Sequence, residues 1–184
     1  MELTAALYYD ELVARCKQGD VRSYELLYKQ YAKAMYNTSL RIVNNRADAE
    51  DVLQEAFVAA FRLENFDFSS TFGAWLKRIV INKSIDTLRR RHMVVVEYEE
   101  TAFQHLPEPE EENTGHLQLK TEAIKKAMTL LPGGYRTVLS LYLFEGYDHD
   151  EISSILNITP STVRTQYHRA KLKLLQLLQK GGMK

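Results

Sequence analysis

Small polar and basic side chains cluster near the C-terminal end of the chain, in a pattern typical of nucleic-acid binding. Over residues 160–175 they fall on one face of a predicted helix: Ser161, Thr162, Arg164, Thr165, His168, Arg169 and Lys171. Polar groups in the first turns of such a helix reach base edges in the major groove, and later cations suit phosphates. An ordinary amphipathic helix with a solvated basic face is the alternative. The absence of any acid after Glu151 favours DNA.

A second group recurs at three- and four-residue steps over residues 71–91, which places it on one helical stripe. The stripe contains Trp75, Arg78, Asn82, Asp86 and Arg89, and Lys83 widens its basic surface. Three aromatic residues, Phe66, Phe68 and Phe72, lie just upstream. Cations beside aromatic rings suit single-stranded nucleic acid, because unpaired bases stack on rings at about 1–3 kcal/mol each. The opposing interpretation, which helical spacing favours, assigns most of these aromatic residues to the core.

A third set of polar residues, Asp51, Gln54 and Glu55, shares one side of a predicted helix that ends near Phe61. Its opposite side is apolar. Carboxylates at 48, 50, 51 and 55 also permit a second hypothesis, a metal-dependent nuclease. Asp48 is better explained as the residue that caps this helix, and no histidine or lysine partner lies near in sequence.

Composition excludes several classes of protein. The 184 residues include 24 basic and 24 acidic side chains, a balance typical of globular proteins. Cys16 is the only cysteine, so neither an intrachain disulfide nor a Cys/His metal cluster is expected. The sequence contains no apolar run of transmembrane length and no secretory signal pattern. We therefore expect a cytoplasmic protein without membrane insertion, metal, cofactor or enzymatic activity.

Helical periodicity throughout predicts an all-α fold of two small domains, 1–92 and 119–184, joined by an acidic linker over 93–118. The charges are uneven: residues 1–92 have 14 basic and 12 acidic side chains, 93–119 have none and 7, and 120–184 have 10 and 5. The linker contains prolines and a Glu110–Glu112 run, and a loop this long argues for two domains rather than one.

The second domain has the pattern of a helix-turn-helix, or winged-helix-like, domain. Two predicted helices, 149–156 and 160–175, are separated by a tight turn. Asp148 with Glu151 resembles a capping box, and Thr159 can cap the helix that begins at Pro160. Four residues of the second helix form its inward face: Val163, Tyr167, Ala170 and Leu174. Upstream, Pro132-Gly133-Gly134 is predicted to end a helix.

Three stretches together resemble the sigma-70 family of bacterial RNA polymerase sigma factors: DAEDVLQEAFVAAF, FGAWLKRIVINKSIDTLRRR and LPGGYRTVLSLYLFEGYDHDEISSILNITPSTVRTQYHRAKLKL. The chain length and the two-domain organisation are similar to the extracytoplasmic-function group. The resemblance covers roughly residues 10–92 and 119–179. Within it, Tyr167 stands where an aliphatic residue is common, and His149-Asp150 replaces a more usual Tyr-Glu type pair.

The resemblance implies roles for each set of residues. Asp51, Gln54 and Glu55 match the positions that bind the polymerase clamp. Trp75, Arg78 and Asn82 match the helix that handles the promoter −10 element as it opens, with Lys83 and Arg89 on the same basic surface. The helix-turn-helix is expected to recognise the −35 element. Core RNA polymerase and promoter DNA are the implied partners, and many relatives also have an anti-sigma factor. A stand-alone helix-turn-helix regulator is the alternative, which leaves the first domain without a role.

Overall fold

The computed structural model describes residues 2–62, 66–92 and 117–181, and all regular structure in these ranges is α-helical. The helices are α1 (Glu2–Lys17), α2 (Val21–Val43), α3 (Arg46–Phe61), α4 (Phe72–His92), α5 (Leu117–Thr129), α6 (Gly133–Leu143), α7 (His149–Leu156) and α8 (Pro160–Gly181). None of them is both long and apolar enough to cross a membrane. The predicted all-α class is confirmed. The predicted linker lies outside the described residues, except that α5 already begins at Leu117.

The first unit consists of α1 to α4, with α2 packed along both α3 and α4. Its core contains Leu12, Val13, Leu27, Met35, Val52, Phe57, Phe66, Phe72, Leu76 and Val80. Asp20 caps α2 by accepting hydrogen bonds from the Arg22 amide and the Ser23 hydroxyl. Asn44 ends the helix in the left-handed conformation, which asparagine tolerates better than most residues.

The start of α3 corrects one prediction. Asn45, not Asp48, is the N-cap: its side chain accepts a hydrogen bond from the Asp48 amide at 3.1 Å. Asp48 lies in the first turn of α3, where a carboxylate interacts favourably with the helix dipole. Its carboxylate forms an ion pair with Arg91 at the end of α4, at 2.5 Å. Asn45 and Asp48 can both cap a helix, so the sequence alone does not show at which of them α3 begins.

The second unit consists of α5 to α8, and α8 contacts the other three helices. Its core contains Ala127, Met128, Leu131, Leu139, Ala170 and Leu174. The Pro132-Gly133-Gly134 segment does not simply end a helix as predicted. Instead α5 ends at Thr129, Pro132 is the N-cap of α6, and Gly133 begins it.

The two units share a third apolar cluster, here called the junction. Its buried side chains are Ile42, Ile81 and Ile85 from the first unit, with Val138, Leu141, Ile152 and Val163 from the second. Every one of these side chains is at most 4% exposed. Burial of this kind is the main favourable term in association, so the junction holds the units together as one body.

Donors in each unit also bind carbonyls at the ends of helices in the other. The buried guanidinium of Arg136 donates to the Ile42 carbonyl at 3.3 Å, within the last turn of α2. Asn44 donates to the carbonyl of Thr129, the last residue of α5, at 3.0 Å. Arg89 donates to the carbonyl of Leu156, the last residue of α7, at 2.8 Å. The last carbonyls of a helix lack partners within it, so three helix ends are satisfied across the junction.

Candidate functional site

The helix-turn-helix has the local structure that the sequence predicts. Asp148 and Glu151 form a complete capping box at the start of α7. Asn157 ends α7 in the left-handed conformation. The Thr159 hydroxyl accepts a hydrogen bond from the Thr162 amide at 3.2 Å, which caps α8 immediately before Pro160. These caps fix the angle at which α8 leaves the turn, and therefore which of its side chains face outward.

The predicted DNA-contacting residues of α8 all lie on its exposed face: Ser161, Thr162, Arg164, Thr165, His168, Arg169 and Lys171. On the opposite face, Val163, Ala170 and Leu174 are buried and Tyr167 is half-buried, as predicted. Within the part of the chain that the structure describes, no ion pair involves Arg164, Arg169 or Lys171. These three cations are exposed, and none of the described acidic residues supplies a counter-charge to them.

The two departures from the family pattern in this unit contact each other. The Tyr167 and His149 rings have centroids 5.1 Å apart in an edge-on arrangement, and both rings pack against Tyr142. Burial raises the pKa of the Tyr167 hydroxyl. The aromatic residue at 167 and the histidine at 149 thus pack together between α6, α7 and α8, on the inner side of α8.

The aromatic residues beside α4 divide between core and surface. Phe66 and Phe72 are buried, at 3% and 1% exposure. Trp75 is half-buried, with its ring centroid 5.1 Å from Phe66 and 5.9 Å from Phe72. Phe68 is exposed. The core interpretation therefore holds for Phe66 and Phe72, whereas Phe68 and part of Trp75 remain available to a ligand.

The polar residues of α4 that were predicted to contact DNA differ from one another in their surroundings. Arg78 and Asn82 are exposed. Lys83 forms an ion pair with Glu55 of α3 at 3.2 Å, so a predicted DNA contact and a predicted polymerase contact bind each other. Arg89 lies 3.5 Å from Asp86 and also donates to the Leu156 carbonyl of the second unit.

Asp51, Gln54 and Glu55 all lie on the exposed side of α3, as predicted. Asp51 and Glu55 line a shallow groove between α3 and α4, opposite Arg90 and Arg91. With Asp48 paired to Arg91 and Glu55 to Lys83, the acids of α3 meet cations of α4 on both sides of this groove. This arrangement does not favour the nuclease hypothesis. In the described ranges no group of three or more His, Cys, Asp or Glu side chains is placed to hold a metal ion.

Lys17 lies beside the aromatic residues of the loop before α4, although no sequence pattern indicates it. Its ammonium donates to the Phe66 carbonyl at 2.8 Å and lies 4.8 Å from the centroid of the Phe68 ring. Phe68 has a φ of 62°, which is unusual for a residue other than glycine and typical of constrained functional positions. No local sequence signal connects Lys17 to a loop 49 residues away. Together these residues form an exposed cation and ring beside α4.

Comparison with known protein families gives two matches in chain order. Residues 27–93 match Sigma-70 region 2, and residues 121–174 match Sigma-70, region 4. The first match contains the α3 and α4 surfaces, and the second contains the helix-turn-helix.

The chain is also similar to several bacterial proteins that are named as sigma factors. The chain is 33% identical over 179 residues to RNA polymerase sigma-H factor of Pseudomonas aeruginosa, covering 92% of this chain and 93% of that protein. It is 30% identical over 180 residues to the ECF RNA polymerase sigma factor SigW of Bacillus subtilis, covering 90% and 94%. It is 31% identical to the ECF sigma factor SigE of Mycolicibacterium smegmatis over 89% of this chain, which spans only 64% of that relative.

Two solved structures have a similar fold. CnrH, solved in complex with the cytosolic domain of CnrY, superposes with a TM-score of 0.54 at 26% identity, over 92% of this chain and 96% of that chain. The sigma factor RpoE of Bartonella quintana, solved with the anti-sigma factor NepR, gives a TM-score of 0.55 at 22% identity, over 86% and 98%.

Proposed function

The chain belongs to the sigma-70 family of RNA polymerase sigma factors, in the extracytoplasmic-function group, and from this premise we propose how its two units share the work of initiation. The first unit binds core RNA polymerase through α3 and captures the opened −10 DNA through α4. The second unit recognises the −35 element through α8. The proposed division is residues 1–92, a linker over 93–118 whose last two residues already belong to α5, and residues 119–184.

The observation that carries the −35 assignment is the outward face of α8. All seven candidate residues on this face are exposed. The first four, from Ser161 to Thr165, lie in the first turns of the helix, where side chains reach base edges in the major groove. Arg169 and Lys171 lie further along and suit the phosphate backbone, which supplies affinity without sequence information. His168 lies one turn beyond Arg164 on the same face.

The −10 assignment uses the exposed part of α4. Arg78 meets phosphates, and Asn82 hydrogen-bonds an unpaired base. Phe68 and the accessible edge of Trp75 offer stacking surfaces at about 1–3 kcal/mol per base. We add Lys17 to this site, since its ammonium lies against Phe68. Lys83 and Arg89 join it once they exchange their protein partners for phosphates. Binding energy to unpaired bases then offsets the cost of separating the strands, a few kcal/mol per base.

The polymerase contact is proposed for Asp51, Gln54 and Glu55, which present two carboxylates and an amide on one exposed strip of α3. Such a strip suits a cationic partner surface, because complementary charges guide encounter and orient the complex. A further protein partner that covers this strip, an anti-sigma factor, is part of the proposal. The matched relative CnrH was solved with the cytosolic domain of CnrY.

Run-off transcription with core RNA polymerase and a library of randomised promoters tests the function directly. A sigma factor produces transcripts from a subset of templates, and the selected sequences share two elements at a fixed spacing. A stand-alone regulator, the alternative, binds a duplex tightly without polymerase and selects a single element. The match of residues 27–93 to Sigma-70 region 2 does not support that alternative.

A further inference from the structure

A cleft of about 580 Å³ lies where α2 ends and α3 begins, and α5 and α6 form its opposite wall. Among the described residues that line it, four side chains are basic and none is acidic: the cations are Arg41, Arg46, Lys125 and Arg136. No residue assigned above to DNA or polymerase lines this cleft. Sites for small molecules have volumes of about 300–1,000 Å³, so the cleft has room for one.

The most buried of the four cations has no counter-charge. Arg136 is only 8% exposed. Its Nε and Nη2 donate to the Ile42 carbonyl at 3.4 and 3.3 Å, and its Nη1 donates to the Leu131 carbonyl at 2.8 Å. No carboxylate of the described residues pairs with it, and burial lowers the pKa of its guanidinium. A buried charge without a counter-ion is costly, so Arg136 points to an anion from outside this part of the chain.

Other groups around the cleft also favour an anion. Nε of Arg41 is buried and has no hydrogen-bond partner among the described residues. Arg46 is the first residue of α3, and the N-terminal end of a helix attracts negative charge. Helix-end carbonyls would repel an anion, but those of Ile42, Leu131 and Thr129 already accept hydrogen bonds from side chains that line the cleft.

The number of unbalanced cations indicates the charge of the ligand. Arg41 and Lys125 each have a carboxylate partner outside the cleft. Arg46 and Arg136 have none among the described residues. Two cations without counter-charges suit a dianion. A phosphate monoester has a charge of about −1.5 to −2 at pH 7, and its oxygens match the planar fork of a guanidinium.

The cleft also has an apolar wall, which inorganic phosphate would leave uncovered. Leu40, Met128 and Phe144 contribute to this wall. The Phe144 ring is 39% exposed, and the guanidinium of Arg41 lies 5.1 Å from its centroid. The cations and the apolar surface are therefore next to each other. A ligand that uses both has an anionic group on an apolar body.

We propose that this cleft is a binding site for an organic phosphate monoester, with its phosphate held by Arg46 and Arg136 and its apolar body against the ring of Phe144. The remaining N–H groups of Arg136 and the Nε of Arg41 donate to the phosphate oxygens. The site needs neither polymerase nor DNA. Its test is therefore separate from that of the proposed function, and a failure of either one leaves the other standing.

Isothermal titration calorimetry of the full chain with naphthyl phosphate tests the site. This probe combines a phosphate dianion with a flat apolar body. Naphthalene sulfonate has the same rings with a single negative charge, and inorganic phosphate has no apolar body. Naphthyl phosphate should bind at a single site, about 10-fold more tightly than either of the other two, because each lacks one class of contact. Absence of saturable binding, or equal affinity for either comparison compound, would overturn the proposal.

Variants locate the bound probe. Arg46→Gln should weaken binding of naphthyl phosphate about 10-fold, as expected for the loss of one charge-assisted hydrogen bond. Arg62→Gln is the matched control, since Arg62 is exposed, lies at the other end of the same helix and has no ion pair among the described residues. Its affinity should equal that of the wild type. Equal losses in the two variants would show that general basicity, rather than the cleft, binds the probe.

Two further variants test the buried guanidinium and the apolar wall. Arg136→Lys keeps the charge but removes the planar fork, and it should weaken binding of naphthyl phosphate at unchanged helix content. If it does not fold, Arg46→Gln still decides the anion contact. Phe144→Ala should weaken binding of naphthyl phosphate but not of inorganic phosphate. Leu143→Ala, at the exposed neighbouring position outside the cleft, should change neither. Wild-type affinity in Arg46→Gln, or equal effects of Phe144→Ala and Leu143→Ala, would overturn the proposed mode of binding.

Discussion

Helices α4 and α8 are both long and basic, but most of their cations have different surroundings. On α8, Arg164, Arg169 and Lys171 face solvent with no ion pair among the described residues. On α4, four of the six cations pair with acids: Lys77 with Glu145, Lys83 with Glu55, Arg89 with Asp86, and Arg91 with Asp48. The other two, Arg78 and Arg90, form no ion pair among the described residues. Most cations of α4 are thus already bound to protein carboxylates, whereas Arg164, Arg169 and Lys171 of α8 are not.

This difference matters for the order of events at a promoter. Unpaired cations on a helix surface attract duplex DNA at once, and counterion release supplies the affinity. Paired cations contribute less binding free energy, because each new contact with a phosphate replaces an existing contact with a protein carboxylate. We infer that α8 is ready for duplex DNA, whereas α4 offers all of its cations only after the acidic partners of four of them are displaced. The acids of α3 link this release to polymerase, since Glu55 is both a proposed polymerase contact and the partner of Lys83.

The largest effect is expected from reversing the charges of α3. Asp51→Lys with Glu55→Lys should abolish association with core polymerase, because like charges across an interface cost several kcal/mol. Helix content should be unchanged, since both side chains are exposed. Co-elution on size exclusion measures the complex. Glu25→Lys with Glu50→Lys makes the same change in net charge at other exposed positions and should still co-elute. Equal co-elution of the two double variants would refute the assignment.

Loss of an unpaired cation on α8 should have the next largest effect. Arg164→Ala should weaken binding of the polymerase complex to duplex promoter by about 1–3 kcal/mol if Arg164 contacts a base. Pre-melted DNA should not fully restore binding, because the lost contact is to duplex. A gel-shift titration provides the measurement, and Arg22→Ala, at an exposed site on α2, is the control. The same loss for both variants would mean that general charge, rather than recognition by α8, governs affinity.

A polar group on α4 should affect opening rather than duplex binding. Asn82→Ala should leave the closed complex nearly intact and reduce permanganate reactivity of unpaired thymines, because the contact proposed for this amide is to unpaired bases only. A pre-opened bubble should rescue opening but not base-specific capture. Asn82 is exposed, so the free energy of unfolding of the variant should differ from that of the wild type by no more than about 0.5 kcal/mol. A collapse in thermal melting would assign Asn82 a structural role, and a duplex-binding loss equal to that of Arg164→Ala would remove the distinction between the helices.

The smallest expected effect is on the salt dependence of promoter binding, when a lysine without an ion pair and a paired lysine are each replaced by alanine. Lys171→Ala should reduce the salt dependence of promoter binding by about one unit of slope, as expected for one phosphate contact. Lys83→Ala should reduce it by less, because Glu55 already supplies its counter-charge and fewer counterions are released on binding. Equal reductions in the two slopes would show that the Lys83–Glu55 pair does not persist in the complex.

The sequence predicts those parts of the structure that depend on residues close together in the chain. The capping box at Asp148, the cap at Thr159 and the inward face of α8 depend on residues a few positions apart. Their pattern predicts α7 and the start of α8 correctly, although α8 continues to Gly181, beyond the predicted end at 175. The exposure of the candidate residues on α8 follows directly from the same periodicity. Local ambiguity explains the error at α3, where Asn45 and Asp48 both have side chains that can cap a helix.

Contacts between distant residues could not be predicted in this way. Glu145 meets Arg41 across 104 positions, and Arg136 meets the Ile42 carbonyl across 94. Glu145 is a single glutamate after a predicted helix, and no sequence pattern indicates which residue it pairs with. The aromatic residues near α4 show the same limit, since Phe66 and Phe68 are two positions apart and only the structure separates the buried ring from the exposed one. The polymerase contact of Asp51, Gln54 and Glu55 is implied only by the family resemblance, because no residue pattern identifies a partner protein.

The shared junction also has a consequence for how the chain is made. Ile42, Ile81 and Ile85 leave the ribosome before any of their partners in α6, α7 and α8. Ile85 precedes Val163 by 78 residues, which takes roughly 4–16 s at bacterial and eukaryotic rates of synthesis of about 5–20 residues per second. During that interval the newly made first unit presents an uncovered apolar face. Such a face attracts chaperones and other nascent chains, and a product truncated before α6 would present it permanently.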